Sequence, residues 1–311
     1  MIIDLPSTTT SKVNQKLVEL RERGGAVALG RVLTLVIVTE DATGIEDTID
    51  AANEASREHP SRIIVAARGL REAAPRIDAQ IRVGGDAGAS EVLVLRLYGP
   101  LAGEADSAVV PLLLPDAPIV TWWPGIAPDD PATDPLGRIA QRRITDAAAD
   151  PDPIAALRTR ATSYTDGDTD LAWARLTHWR AQLVAALDLP PHEPVTAATV
   201  TGDGNSPSTE LLAGWLAYYL GVPVRREQAD GQGIVSVSLE RPSGPVELHR
   251  PDGKTGTLHQ HGQPDRTIDL HRRSLCDVLV EELRRLDPDE VYERALRGMR
   301  LLPNNQEGTH A

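Results

Sequence analysis

The sequence contains no phenylalanine and only one cysteine, Cys276. A single thiol cannot form an intramolecular disulfide, and low cysteine usage is typical of a reducing cytoplasm. The amino terminus lacks the basic and apolar regions of a signal peptide. No apolar run reaches the roughly 18 residues that a membrane-spanning helix needs. These absences predict a cytoplasmic protein that does not enter a membrane.

Positive charge is also in short supply. The 32 lysines and arginines are outnumbered by 45 aspartates and glutamates, which gives a formal net charge of −13. Phosphate contacts from a basic face supply most of the affinity of nucleic-acid-binding proteins. The charge balance therefore argues against a nucleic-acid partner. Arginine far exceeds lysine, which we interpret as the coding bias of a GC-rich genome.

Familiar nucleotide-binding and hydrolase motifs are missing. The sequence has no G-x-x-x-x-G-K-[ST] loop and no G-x-S-x-G elbow. After the apolar run at residues 32–38 the chain reads Glu-Asp-Ala-Thr-Gly, which is not the glycine-rich turn of a dinucleotide site. We therefore expect no cofactor and no catalytic residue, and the sequence indicates a protein that is not an enzyme.

The first half of the chain has the pattern of a mixed α/β sheet. Residues 32–38 and 62–67 are continuous apolar runs, as expected for strands buried on both faces. The helical pattern at residues 45–57 between them predicts a right-handed β-α-β crossover. Residues 77–83 and 92–97 predict an antiparallel hairpin across residues 84–90. We expect this N-terminal α/β domain to cover residues 1–150.

The second half, residues 151–311, predicts an α+β domain with a largely antiparallel sheet. A polar segment at residues 162–170 is expected to be an exposed loop, and an amphipathic helix is predicted at residues 171–187. Five alternating segments between residues 222 and 271 predict an antiparallel meander. Ser274 is a predicted helix cap, with Asp277 in the capping-box position.

One aromatic and acidic stretch is the strongest candidate binding surface. A predicted strand at residues 119–121 runs into two adjacent tryptophans and a proline- and aspartate-rich loop. Alternation along the strand predicts that one indole points inward and its neighbour points outward, where tryptophan is a frequent hot spot. The alternative is that the loop covers both indoles. The candidate partner-binding residues are Trp122, Trp123, Pro124, Gly125, Asp129, Asp130, Asp134, Arg142 and Arg143.

Three further groups have weaker support. The Arg142 and Arg143 pair can bind a carboxylate or phosphate, but arginines in salt bridges are the ordinary interpretation. His259 and His261 share one face of a predicted strand, but no ligand-spaced carboxylate or cysteine accompanies them, so we predict no metal site. Cys276 is expected to be a small core residue rather than a nucleophile.

The turn at residues 202–208 is a candidate anion site. It joins a predicted strand to a helix, and it contains Gly202, Gly204 and Ser208. Free N–H groups at a helix start can hold a phosphate. An ordinary capped turn explains the same residues, because Ser206 can cap the helix and Pro207 suits its first position. A sugar-phosphate-binding enzyme that uses this turn is the alternative function.

The candidate surface also carries a family resemblance. Its motifs Trp122-Trp123-Pro124-Gly125, Asp134-Pro135-Leu136-Gly137 and Arg142-Arg143-Ile144-Thr145-Asp146, with residues 30–35 and 273–289, resemble the OpcA family. These are glucose-6-phosphate dehydrogenase assembly proteins of actinobacteria and cyanobacteria, and the arginine-rich composition resembles the actinobacterial type.

The resemblance implies two domains and a non-catalytic partner that binds glucose-6-phosphate dehydrogenase and promotes its assembly or activity. Cyanobacterial relatives are associated with thioredoxin control through cysteines. The single Cys276 departs from that pattern.

Overall fold

The computed structural model describes residues 1–24, 31–40, 44–83 and 91–303. Their strands are β1 (Ile2–Thr8), β2 (Leu33–Thr39), β3 (Ser61–Arg68), β4 (Arg76–Arg82), β5 (Glu91–Tyr98), β6 (Ile119–Trp122), β7 (Arg142–Thr145), β8 (Asp168–Asp170), β9 (Ala197–Gly202), β10 (Val224–Gln228), β11 (Ile234–Glu240), β12 (Val246–His249), β13 (Thr255–Gln260) and β14 (Arg266–Asp269). Their α-helices are α1 (Thr10–Gly24), α2 (Ile45–Ala55), α3 (Ala105–Val109), α4 (Pro135–Arg138), α5 (Pro153–Ser163), α6 (Leu171–Ala174), α7 (Thr177–Leu187), α8 (Pro207–Leu220), α9 (Leu275–Arg284) and α10 (Glu290–Met299). The predicted turn at residues 84–90 lies outside the described residues.

The chain divides into two compact units, and each draws on more than one stretch of sequence. The first unit contains Met1–Asp150, Thr165–Leu171 and Ser274–Pro288. The second contains Pro151–Tyr164, Ala172–Arg273 and Asp289–Ala311. The predicted division into residues 1–150 and 151–311 is simpler than this pattern, and it stays a prediction.

The first unit is built on an eight-stranded mixed sheet with the order β1-β4-β5-β3-β2-β6-β7-β8. Neighbouring strands from β5 to β8 in this order run parallel, whereas β4 is antiparallel to both β5 and β1. The helix α2 connects β2 to β3, as the crossover rule predicts. The predicted mixed α/β class of this part of the chain is confirmed.

Two strands of this sheet were not predicted from the sequence. Among the described residues, β1 pairs only with β4, at one edge of the sheet. The strand β8 lies within residues 162–170, which were predicted to form an exposed loop; that prediction is wrong, because all three β8 residues are buried. Two aspartates in three residues suggest solvent exposure, but here both carboxylates have buried partners.

Both faces of this sheet are covered. All eight residues of β3 are buried, so the side chains that alternate to either face have both left water. One face packs against α1 and α3 in a core that contains Val13, Leu17 and Ala108. On the opposite side α2 and α9 pack against each other. A sheet buried on both faces explains why its strands are continuous apolar runs.

The second unit contains a six-stranded sheet with the order β10-β9-β11-β12-β13-β14. The neighbours β9, β11, β12, β13 and β14 pair antiparallel in that order, which confirms the largely antiparallel sheet. The predicted meander is wrong in one strand, because β10 runs parallel to β9. The helix α8 separates these two strands in sequence and carries the chain back, so the pair is a β-α-β unit.

Close helix packing supports this second sheet. Gly214 in α8 and Gly298 in α10 face each other so closely that a Cβ at Gly298 would lie 1.9 Å from the Gly214 oxygen. The two helices therefore meet backbone to backbone, which fixes their relative position. In the part of the chain that the structure describes, no helix has the length and apolar character to cross a bilayer.

Candidate partner-binding site

The candidate surface lies at the carboxyl ends of the parallel strands in the first unit. Neighbouring strands β2 and β6 continue in opposite directions, β2 towards β3 and β6 towards β7. Ligand sites of open α/β sheets form at such a switch point. Residues 123–134, which we call the switch-point loop, follow β6 at this edge. The stretch that the sequence analysis selected therefore lies where open α/β sheets commonly bind ligands.

Both adjacent tryptophans are buried. Trp122 is 0% exposed and Trp123 is 1% exposed. Trp123 belongs to the core on one face together with Ala127 and Leu136, which the loop and α4 bring back over it. The expectation of an outward indole is therefore wrong. Alternation does send the two rings to opposite faces, but both faces are covered.

A glycine lets α4 lie against the loop. A Cβ at Gly137 would lie 1.8 Å from the Pro131 carbonyl oxygen and 3.3 Å from the Trp123 ring. No other residue type fits at that distance from backbone without a shift. Thr121 adds a hydrogen bond of 2.9 Å from its hydroxyl to the Leu136 carbonyl. The loop is thus held down onto the strand that it follows.

Asp134 fixes the far end of the loop. Its carboxylate accepts two hydrogen bonds from Arg68 Nη2, at 2.8 Å and 3.0 Å. The same carboxylate caps α4 by accepting from the Leu136 N–H at 2.9 Å. Arg68 stands at the end of β3 and also lies 3.7 Å from the exposed carboxylate of Glu40. Asp134 was predicted to be a partner-binding residue, but these bonds show that its charge stabilises the fold.

The two adjacent arginines are internal as well. Arg142 donates to Glu282 at 2.5 Å and to the Asp287 carbonyl at 3.0 Å. Arg143 donates to Asp168 and also to the carbonyls of Ala140 and Asp166. Both side chains are buried, so the salt-bridge interpretation fits them and the exposed-binder interpretation does not.

Burial also affects the acidic partner of Arg143. Desolvation raises the pKa of Asp168, while the hydrogen bond from Arg143 lowers it and so opposes that effect. The Thr165 N–H donates to the other carboxylate oxygen at 2.8 Å. The Asp168 carboxylate, held by these donors, is therefore a structural counter-ion. It keeps Arg143 in place inside the first unit.

An aliphatic side chain is what the loop presents to solvent. Ile126 is 62% exposed, and Asp129 beside it is exposed too. Pro124, Gly125 and Asp130 are half-buried. Ile126 was not among the residues predicted from the sequence, because the aromatic and charged side chains of the loop were the expected contacts. The available signal was a single isoleucine, between Gly125 and Ala127, in a loop rich in proline and aspartate.

A second aliphatic residue follows β3 at the same edge. Leu70 is 72% exposed. The bridge between Arg68 and Asp134 spans from the end of β3 to the end of the switch-point loop. The carboxyl ends of these strands thus carry two exposed aliphatic side chains and a salt bridge that holds the loop in place. Such a surface can bury apolar area against a protein partner.

The alternative anion site is an ordinary capped turn. Ser206 caps α8 by accepting from the Thr209 N–H, and Pro207 occupies the first helical position. The Asp203 carboxylate accepts from the Asn205 N–H at 2.9 Å, where a phosphate oxygen would have to bind. The buried carboxylate of Glu210 adds negative charge in the first turn, although Arg158 and Arg226 pair with it.

The remaining candidates have local partners. His259 Nδ1 lies 2.7 Å from Asp265, and this hydrogen bond raises the pKa of the imidazole. The residues that the structure describes contain no group of three or more ligand side chains placed for a metal ion. Cys276 is half-buried in α9, and desolvation, followed by the charge of Glu54, raises the pKa of its thiol.

Two solved structures show a distant likeness to this chain. An oxidoreductase from Sinorhizobium meliloti has a TM-score of 0.46 and 11% identity, covering 88% of this chain and 96% of that one. An oxidoreductase from Pseudomonas syringae has a TM-score of 0.37 and 10% identity, covering 88% and 86%. Likeness at this level carries no argument about function. A search of curated proteins gives no significant match.

Family comparison gives a definite result. Residues 52–162 match the family described as the glucose-6-phosphate dehydrogenase subunit N-terminal domain. Residues 166–296 match the corresponding C-terminal domain. The two matches follow each other in the expected order and together cover most of the chain. The resemblance predicted from the sequence is confirmed, and this chain belongs to the OpcA family of glucose-6-phosphate dehydrogenase subunits.

Proposed function

We propose that this protein is a cytoplasmic, non-catalytic partner of glucose-6-phosphate dehydrogenase. It promotes the assembly or allosteric activation of that enzyme at the start of the oxidative pentose phosphate pathway. The observation that carries the proposal is the match of both parts of the chain to domains described as subunits of the dehydrogenase.

The switch-point loop is the proposed contact in the first unit. Trp123 supports it from below and Asp134 ties its end to Arg68, so the loop loses little conformational freedom when a partner binds. Ile126 supplies the apolar contact, and Asp129 supplies a charge that steers the encounter. In this proposal the two tryptophans, Arg142 and Arg143 position the surface from inside.

Activation by such a partner requires a difference in affinity. A bound protein shifts an enzyme towards one conformational or oligomeric state only when it binds that state more tightly than the others. The proposed partner therefore binds the assembled or active form of the dehydrogenase in preference to other forms. Its effect saturates with the occupancy of the complex.

The test is to mix the purified protein with glucose-6-phosphate dehydrogenase. We expect the two to comigrate in size-exclusion chromatography, and we expect the rate of NADPH production to change with the same saturation curve. Separate elution with an unchanged rate at micromolar concentrations of both proteins contradicts the proposal. Turnover of sugar phosphates by this chain alone would favour the enzyme that uses the turn at residues 202–208.

A further inference from the structure

The second unit has an apolar groove that the proposed contact loop does not involve. Its volume is about 550 Å³, and it lies among the end of α8, the start of β10 and the residues after α10. Leu301, in its wall, is 66% exposed. The lining is mostly apolar and consists of Ala217, Gly221, Val222, Pro223, Val224, Arg225, Leu301 and Pro303. A large aliphatic side chain that is exposed beside a concave apolar wall is typical of an interaction surface.

The strand next to this groove is at the edge of its sheet. The strand β10 pairs with β9 and with no other strand in the part of the chain that is described. In a parallel pair, alternate residues direct their N–H and C=O groups away from the neighbour. The free side of β10 can therefore accept a further strand, which is a common mode of peptide recognition.

The first residues of β10 differ in burial on its two faces. Val224 is buried, whereas the next residue, Arg225, is exposed, and both line the groove. Within the described residues Arg225 forms no ion pair, while Arg226 is tied to the buried Glu210. Arg225 is thus an available cation at the groove, in a chain with a net charge of −13.

We propose that an extended segment of a partner protein binds along the free edge of β10. Successive side chains of a strand point to opposite faces. One side chain of the bound segment therefore enters the groove beside Leu301, and this residue is aliphatic. The next side chain emerges on the face of Arg225, and this residue is a carboxylate. The proposal deepens the proposed function and rests on it, because it assigns this segment to the dehydrogenase.

The groove and the edge strand β10 are held in place before a ligand binds. The backbone contact between Gly214 and Gly298 holds α8 against α10, and Arg226 Nη2 donates to the Pro303 carbonyl at 3.1 Å. The groove wall that contains Pro303 is therefore attached to the edge strand itself. A rigid surface of this kind binds an extended segment without first having to become ordered.

The experiment compares single variants in titrations against the dehydrogenase. We expect Leu301→Asp to weaken binding by roughly tenfold or more, because it places a charge in the apolar groove. Arg225→Glu weakens binding less, and its effect shrinks in high salt. The matched control is Val184→Asp, an exposed aliphatic residue of α7 in the same unit, which should bind like the wild type. All three variants should melt like the wild type.

Each other outcome identifies a different failure. If Leu301→Asp binds the dehydrogenase as tightly as Val184→Asp does, the inference is overturned and the proposed function stands. If the wild type itself does not bind, the proposed function fails and the inference fails with it. If sedimentation shows that Leu301→Asp abolishes self-association while dehydrogenase binding is unchanged, a second copy occupies the groove. If removal of residues 304–311 and Leu301→Asp lower the melting temperature equally, the chain's own end occupies it. The last two results also overturn the inference.

Discussion

The two units expose their sheets to different surroundings. In the first unit β3 is buried along its whole length, whereas in the second unit β12 alternates strictly between buried and exposed residues. The first pattern belongs to a parallel sheet covered on both faces, and the second belongs to an antiparallel sheet with one open face. Sequence periodicity distinguishes the two cases because it records how many faces have lost contact with water.

The difference extends to buried charge. The first unit places arginines against carboxylates inside the fold, as with Arg142 and Glu282. In the second unit Arg250 is buried under the antiparallel sheet, where it donates to the carbonyls of Ile234 and Leu270, and its guanidinium lies 5.0 Å from the Trp179 ring centre. Desolvation, chiefly, lowers the pKa of Arg250 to about 10. Arg142 is thus neutralised by a carboxylate, whereas Arg250 is surrounded by carbonyl dipoles and an aromatic face.

The largest expected effect comes from cutting the chain at residue 150. A fragment of residues 1–150 lacks β8 and α9, and with them the carboxylates that pair with Arg143 and Arg142. Loss of a buried partner costs about 3–5 kcal/mol, and domains are stable by only about 5–15 kcal/mol. We expect the fragment to show no cooperative thermal transition by circular dichroism. A fragment that melts as sharply as the full chain would contradict the assignment of β8 and α9 to the first unit.

Truncation of a buried indole has the next largest effect. Trp123→Ala should lower the stability to denaturant by about 3–5 kcal/mol, because it leaves a cavity under the switch-point loop. Among the described residues neither indole nitrogen of Trp122 and Trp123 has a hydrogen-bond partner. Trp123→Phe should therefore cost clearly less than Trp123→Ala. If Trp123→Ala melted like the wild type, the indole of Trp123 would not be a core residue, and the outward orientation predicted from the sequence would be supported.

The two kinds of buried arginine can be compared directly. Arg142→Met leaves Glu282 buried without its partner and should cost about 3–5 kcal/mol. Arg250→Met leaves only carbonyls without a donor and should cost about 1–3 kcal/mol. Urea unfolding of both variants, with the wild type as reference, measures the difference. Equal costs would mean that the carboxylate partner adds nothing to the burial of Arg142.

Ile126→Asp separates binding from stability in the first unit. Ile126 is exposed, so its replacement should leave the melting temperature within a degree or two of the wild type while affinity for the dehydrogenase falls roughly tenfold. The control is Val18→Asp, which changes an exposed aliphatic residue of α1. Identical titration curves for the two variants would remove the switch-point loop from the contact surface.

The smallest expected effect concerns an ion pair on the surface. The hydrogen bond from Arg82 lowers the pKa of Glu46 below its ordinary value of 4.5. The pair therefore adds stability above that pH, and this contribution is lost as the pH falls through the lowered pKa. Because Glu46 is largely exposed, we expect less than about 1 kcal/mol. Glu46→Gln and the wild type should differ at pH 7 and converge in acid, and a difference that grows in acid would reverse the sign.

Local patterns predicted most of the regular structure but not the long-range pairing. The apolar runs of β2 and β3 and the alternation of β11 to β13 follow from burial, which a local window of sequence records. The pair Asp168 and Asp170 looks like loop in such a window. Both are buried because Arg143 and Thr145, far away in the sequence, supply donors. No local periodicity contains that information.

The candidate site shows the same limit. Its location after β6 was predictable from an unusual composition. The burial of Trp122 and Trp123 was not, because it depends on how the following loop folds back and on which helices cover each face. Asp134 looks like a surface charge in the sequence, and only the three-dimensional structure brings Arg68 to it.

The return of α9 to the first sheet constrains how the protein can be synthesised. A nascent chain contains β1 to β7 well before Glu282 has been made. At roughly 5–20 residues per second, the ribosome needs on the order of 10 s to pass from residue 150 to residue 288. β8 and the carboxylate of Asp168 follow soon after residue 150, but for most of that interval Arg142 lacks its partner Glu282. The first unit to be translated is thus completed only when nearly the whole chain has emerged.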